Sequence, residues 1–180
     1  MAGSPTPRYV PTTIADRTVG LSAVGAILAA LLHRERSGEG QSVDVPMFET
    51  MTQFVMGDHL GGRSFVPAEG PAGYARLLAH ERRPYPTRDG HICALIYSNR
   101  QWKSFCALIG QPQMFDADPR LASLTTRTQH IDALYRFVAE QMPMRTTAEW
   151  MQALEEADIP CMPMHTPDSL LDDPHPVSYT

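Results

Sequence analysis

Cysteine is scarce in this 180-residue chain, and the three present, Cys93, Cys106 and Cys161, are far apart. They form no C-x-x-C pair, so neither a zinc cluster nor a redox dithiol is indicated. The sparse, odd count suits a reducing cytoplasm, with each thiol expected to act as a small buried hydrophobe. Basic charge is also short: 15 Lys and Arg against 20 Asp and Glu leave a net charge of -5. A nucleic-acid surface needs clustered excess cations, so nucleic acid is excluded as a partner. The seven histidines show no H-x-x-x-H spacing, and no metal is expected. A phosphate-cradling G-x-G-x-x-G loop is missing as well. The start, MAGSPTPRYVPTT, has no apolar core flanked by basic residues, so no signal peptide is expected. The most apolar run, from Val19 to Leu32, carries Ser22 and two glycines. It reads as too short to span a membrane and as a buried helix instead. Internal repeats and low-complexity tracts are absent from the sequence.

What is there is a globular composition, 43% hydrophobic and 19% charged, in a length that suits one domain or two small ones. Residues 1–13 carry Pro5, Pro7 and Pro11 and read as extended chain. The run from Thr18 to Ser37 reads as a helix, closed by Arg34, Arg36 and then Gly38 and Gly40. In QSVDVPM (41–47) Val43 and Val45 alternate with polar neighbours, which predicts a short strand, and Pro46 opens a helix over 47–60. Residues 61–83, rich in glycine and without periodicity, read as a long linker loop. Beyond it, Arg88-Asp89-Gly90 predicts a hairpin turn between two short strands. Ser98 with Gln101, and Thr146 with Glu149, form capping boxes at two helix starts. The first of these helices presents Trp102, Phe105, Cys106 and Ile109 on one face and ends at Gly110. QPQMFDADPR is a turn-rich link to an amphipathic helix over 127–142, with Ile131, Leu134, Tyr135 and Val138 on one face. IPCMPM (159–164) reads as extended, and Thr166-Pro167 starts a last helix closed by Asp173-Pro174.

Asp16 lies just before the predicted helix start, where the dipole and unpaired N–H groups favour an ionised carboxylate. Such a carboxylate serves as a nucleophile or a base, and equally well as a simple N-cap. Asp44 and Glu49 read as structural, at a strand end and in a first helical turn. Gly61, Gly62, Gly70 and Gly73 fit a flexible linker, or a loop closing over a site. Arg82, Arg83 and Arg88 read as a solvated face, with contact to a phosphate or carboxylate as the other possibility.

The run Asp16-x-x-x-Gly20, with AILAALLHRERSGEGQSVDVPMFE after it, resembles the signature of class III CoA-transferases. That superfamily includes formyl-CoA and carnitine CoA-transferases and α-methylacyl-CoA racemases. Gly38-Glu39-Gly40-Gln41-x-Val43-Asp44-Val45, followed by Met47 and Glu49, is the most specific part. Asp89-Gly90, the Trp102 helix, Asp118-Pro119-Arg120 and Ile159-Pro160-Cys161 follow in the family's order. The resemblance implies an α/β plus α+β chain. Residues 1–60 would be a partial Rossmann-like helix–strand–helix segment of the CoA-binding large domain. A linker would cover 61–83, and 84–180 would form a small α+β domain with a short antiparallel sheet. It implies Asp16 as the catalytic carboxylate and a coenzyme A thioester as substrate, with no permanently bound cofactor; the CoA-binding residues are unknown. Acyl-CoA and a small carboxylic acid would be the partners, without a membrane, in an interlocked homodimer of the full-length parent. Three readings stay open: a CoA-transferase working through an aspartyl-CoA thioester, an acyl-CoA racemase or epimerase, and a catalytically inert dimerisation piece. The family is longer than this chain, so the apolar Val19–Leu32 face is expected to lose its usual cover and form an exposed patch.

Overall fold

Helix α1 (Ile14–Ser37) begins at Ile14 rather than Thr18, in a computed structural model that describes residues 9–173. The earlier start is natural for Ile-Ala-Asp-Arg: Asp16 sits in the first turn beside the positive end of the dipole, and Arg17 N–H donates to the Thr13 carbonyl at 3.1 Å. Gly38, at φ +79°, ends the helix in the left-handed conformation, and its N–H returns to the Arg34 carbonyl at 2.8 Å. By length and composition this helix could cross a membrane, so the argument from a short apolar run does not hold for the helix that forms. Core helices of soluble proteins meet the same measure. The expected burial is not found either. No residue of α1 is buried, Leu21 is 76% exposed, and the open apolar face anticipated from the resemblance is present.

From Glu39 to Pro46 the chain has no regular secondary structure, and Val43 and Val45 are in no strand. A strand needs a neighbour to supply its ladder, and among the described residues none pairs with this segment. The predicted strand is therefore corrected to an irregular connector. Helix α2 (Met47–His59) follows Pro46, packs against α1 and buries none of its residues. The glycine-rich stretch is not structureless. A 3-10 turn covers Gly61–Ser64, and the loop then folds back on itself through short backbone contacts. This first compact unit ends at Tyr74, inside the stretch read as a linker.

The second unit starts at Ala75 with the short helix α3 (Ala75–Leu78). Strands β1 (Tyr85–Pro86) and β2 (His91–Ala94) form the antiparallel hairpin, with Tyr85 opposite Ile92. Then come α4 (Asn99–Leu108), α5 (Met114–Ala117), a 3-10 turn at Pro119–Leu121, α6 (Leu124–Gln129), α7 (Ile131–Gln141), a 3-10 turn at Met142–Met144 and α8 (Thr147–Glu156). Strand β3 (Cys161–Pro163) returns to pair antiparallel with β2, Cys93 opposite Met162, giving the sheet order β1-β2-β3. Helix α9 (Pro167–Leu171) closes the described chain; the predicted stop at Pro174, like Pro5 and Pro7, lies outside the described residues. The predicted 127–142 helix is two helices, broken at His130. The turn-rich link before it contains α5 and a 3-10 turn.

Both capping boxes form, Ser98 with Gln101 and Thr146 with Glu149. They start α4 and α8 with the helix faces turned onto one core. Trp102, Phe105, Leu134, Val138, Trp150 and Leu154 are all at most 1% exposed. Each such side chain contributes about 1.5–3 kcal/mol by leaving water. The strand period of two puts Ile92 and Ala94 inward and leaves Cys93 outward. The expectation of three buried thiols is thus corrected: Cys106 is buried, Cys161 half-buried and Cys93 exposed.

Candidate functional site

Asp16 projects from the first turn of α1, not from the cap position; Thr13 is the N-cap. Thr13 makes no side-chain cap, because its hydroxyl instead accepts from Arg17 Nε at 3.3 Å. Among the described residues, the first N–H groups of α1 therefore have neither intrahelical nor side-chain acceptors. The Asp16 carboxylate is exposed and makes no hydrogen bond or ion pair among the described residues. Chemically, this is an uncommitted carboxylate beside uncommitted N–H donors, at the positive end of a 24-residue helix.

The sequence motif after α1 packs back along that helix. Gly40, Gln41 and Val43 join Ile27, Leu31 and Arg34 around a cavity of about 180 Å³. Ser37 steers the turn: its hydroxyl donates to the His33 carbonyl at 2.8 Å and accepts from Glu39 N–H at 3.1 Å. Asp44 is exposed on the connector rather than at a strand end, and Glu49 is in the first turn of α2, where its charge suits the dipole.

The loop glycines come together by close backbone approach. A Cβ on Gly62 would lie 2.3 Å from Gly70 N. Gly62 N–H donates to Pro71 O at 3.1 Å, Glu69 N–H to Gly62 O at 3.0 Å, and Gly73 N–H to His59 O at 2.8 Å. The stretch is a closed, internally bonded loop, and the flexible-linker reading is corrected on that ground.

In the second unit two of the three singled-out arginines are committed. Arg83 pairs with the buried Glu81 at 2.9 Å, and Arg88 with Glu149 at 2.5 Å. Arg82 has no ion-pair partner among the described residues. The Asp118-Pro119-Arg120 motif is a chelate: Arg120 Nε lies 3.0 Å from both Asp118 oxygens, and its Nη2 2.6 Å from Oδ2. The Arg120 hydrogen bonds hold the Asp118 carboxyl below the usual carboxylate range, against the opposing effect of its partial burial.

Asp89 is the residue whose job the sequence reading missed. Its Oδ1 accepts from Thr147 N–H at 2.7 Å, Thr147 Oγ1 at 2.9 Å and Thr87 Oγ1 at 3.2 Å. Those bonds, the Thr147 N–H first, lower its pKa. Asp89 thereby ties the hairpin turn to the start of α8. Gly90 is not left-handed; a Cβ there would approach Thr147 Oγ1 at 3.3 Å, so space rather than φ favours glycine. The clue was available in the coincidence of a turn aspartate with an uncapped Thr147 N–H, but only the fold joins them.

An apolar helix with a free first-turn carboxylate, a Gly-Glu-Gly-Gln connector and a small helical domain on a three-stranded sheet define a recognisable class. The chain belongs to CoA-transferase family III, whose model matches residues 1–179. It is 29% identical, over 96% of its length and 47% of the relative's, to a probable fatty acyl-CoA transferase of Mycobacterium tuberculosis. It is also 29% identical to the (R)-2-hydroxy-4-methylpentanoate CoA-transferase of Clostridioides difficile, over 88% of this chain and 39% of the relative. A crystal structure of a hypothetical protein from Mycobacterium tuberculosis superposes with a TM-score of 0.78 at 26% identity, covering 99% of this chain and 47% of the other. The chain thus spans less than half the length of these relatives.

Proposed function

We propose that this chain carries the catalytic aspartate of a CoA-transferase that moves CoA from an acyl-CoA to a small carboxylic acid. Asp16 is the nucleophile. Its carboxylate attacks the donor thioester carbonyl, forming a mixed anhydride and releasing the CoA thiolate. The thiolate attacks the Asp16 carbonyl, freeing the donor acid and leaving an aspartyl-CoA thioester. The acceptor carboxylate attacks that thioester and again expels the thiolate. The thiolate then takes the acceptor acyl group and regenerates Asp16. The observation that carries this reading is the uncommitted, exposed Asp16 carboxylate at the head of α1, within a sequence matched by the family model along its length. Neighbouring first-turn N–H groups favour an ionised attacking oxygen and would stabilise charge developing nearby.

The relatives support the substrate class. Besides the two above, they include a succinyl-CoA:mesaconate CoA-transferase of Haloarcula hispanica, 29% identical over 88% of this chain, and all carry transferase names. We further propose that residues 1–60 belong to a Rossmann-like CoA-binding domain and 84–180 to a small domain, with the stretch between as their linker, in an interlocked homodimer. A reducing cytoplasm fits the three unpaired cysteines.

The test is chemical trapping. The chain is incubated with succinyl-CoA or a fatty acyl-CoA plus hydroxylamine, and its peptides are weighed. A hydroxamate on Asp16, absent in Asp16→Asn, supports the nucleophile. Deuterium wash-in at the acyl α-carbon without CoA exchange would instead make the chain a racemase. One observation favours an inert piece: α1 and α2 bury none of their residues. Calorimetry showing no CoA binding, together with no trapping, would support that reading.

A further inference from the structure

Strand β1 and the chain leading into it border a second cavity, of about 250 Å³, that no step above uses. Arg82, Arg83, Tyr85, Cys93, Leu95 and Tyr135 line it. Its two tyrosines are almost wholly buried, Tyr85 at 4% exposure and Tyr135 at 3%. The Tyr135 oxygen accepts from Arg76 Nε at 3.1 Å, which leaves its own proton to give. The Tyr85 hydroxyl has no hydrogen-bond partner among the described residues. Burial, and then the neighbouring Tyr135, push the Tyr85 phenol well above its usual range, so it remains a proton donor. The oxygen itself is not sealed from solvent, so its proton is available to an acceptor oxygen that enters the cavity. Arg83 is neutralised by Glu81, whereas Arg82 brings an exposed, uncompensated cation to the same cavity. Two phenol donors and one free guanidinium, set in walls of Leu95 and tyrosine rings, ask for an acceptor-only anionic head on a short apolar body.

We propose that this cavity binds a small organic carboxylate with a short apolar chain, its carboxylate on Arg82 and the Tyr85 and Tyr135 hydroxyls. Cys93, exposed on the outer face of β2, stands beside it as a reporter. The site is independent of Asp16, and either reading can fail without the other.

Butyrate and 1-butanol are titrated into the isotope-labelled chain, following the amide signals of Cys93 and Leu95. Butyrate is expected to saturate and 1-butanol not to. Arg82→Gln, an exposed change that leaves the core intact, should weaken butyrate about tenfold by removing a charge-assisted bond. Tyr85→Phe should weaken it about threefold or more, and Arg88→Gln, whose side chain is tied to Glu149, should not. As a second readout, bound butyrate slows alkylation of Cys93 by iodoacetamide, a displacement in which the thiolate forms the S–C bond and iodide leaves. Half-buried Cys161 serves as the internal reference. Three results overturn the proposal: no saturable shift with butyrate, equal response to 1-butanol, or unchanged affinity in Arg82→Gln.

Discussion

Replacing Trp150 by Phe probes the core of the second unit at its most connected point. The indole is 1% exposed, stacks on Phe105 at 6.2 Å with planes 24° apart, and has the Arg145 guanidinium 4.7 Å from its centre. Its Nε1 donates to the Met142 carbonyl at 2.7 Å, and among the described residues the one other bond to that oxygen is a long 3.5 Å contact from Arg145 N–H. Phenylalanine keeps the stack but gives no hydrogen. Leaving the carbonyl under-satisfied costs about 1–3 kcal/mol. The void left by the smaller ring adds about 1 kcal/mol, and the weaker ring–guanidinium attraction about 0.5 kcal/mol. The expected loss is therefore about 2.5–4.5 kcal/mol, read as a lower urea midpoint with unchanged slope by far-UV circular dichroism. The Arg145→Met change in both backgrounds isolates the cation–π share, expected at about 0.5–1 kcal/mol of coupling. A loss below about 1 kcal/mol in Trp150→Phe would refute the reasoning, because the Met142 carbonyl would then be satisfied some other way.

Two further outcomes follow from the geometry. Asp118 has its pKa lowered from 3.8 by Arg120, so its stabilising contribution is fully present above pH 3.8 and is lost as pH falls through the lower folded value. Urea titrations from pH 6 to pH 3 should show the wild type's advantage over Asp118→Asn shrinking with acid; a constant difference would remove the ion pair from the account. Gly62→Ala should force the loop open, since the new Cβ meets Gly70 backbone at 2.3 Å. Trypsin should then cut after Arg63 markedly faster than in the wild type, and unchanged cutting would mean that the loop is not closed.

Local chemistry was the legible part of the fold. Ser98 with Gln101 and Thr146 with Glu149 are four-residue signals, and both boxes form where they were read. The inward face of Ile131, Leu134, Tyr135 and Val138 was legible because helical period alone decides it. What required distant partners was not legible. Val43 and Val45 carry a strand pattern, yet no strand comes to them among the described residues. IPCMPM read only as extended until β2 supplied its ladder. Cys93 was assumed buried, and the sheet face decided otherwise. For the candidate site, the motif singled out Asp16, while its position in the first turn of α1 and the unused Thr13 cap depend on where the helix starts. The arginines looked alike in sequence; Glu81 and Glu149 made two of them structural and left Arg82 different.

The position of β2 at the centre of its sheet bears on how the chain is made. Its partner on one side, β1, has already left the ribosome when β2 emerges. Its partner on the other side, β3, arrives only after five helices have been synthesised. Throughout that interval β2 offers a bare row of amides and carbonyls to any extended chain nearby. Cys161–Pro163 is thus a late-arriving latch, and messages truncated ahead of it would release products with an open edge, prone to join one another.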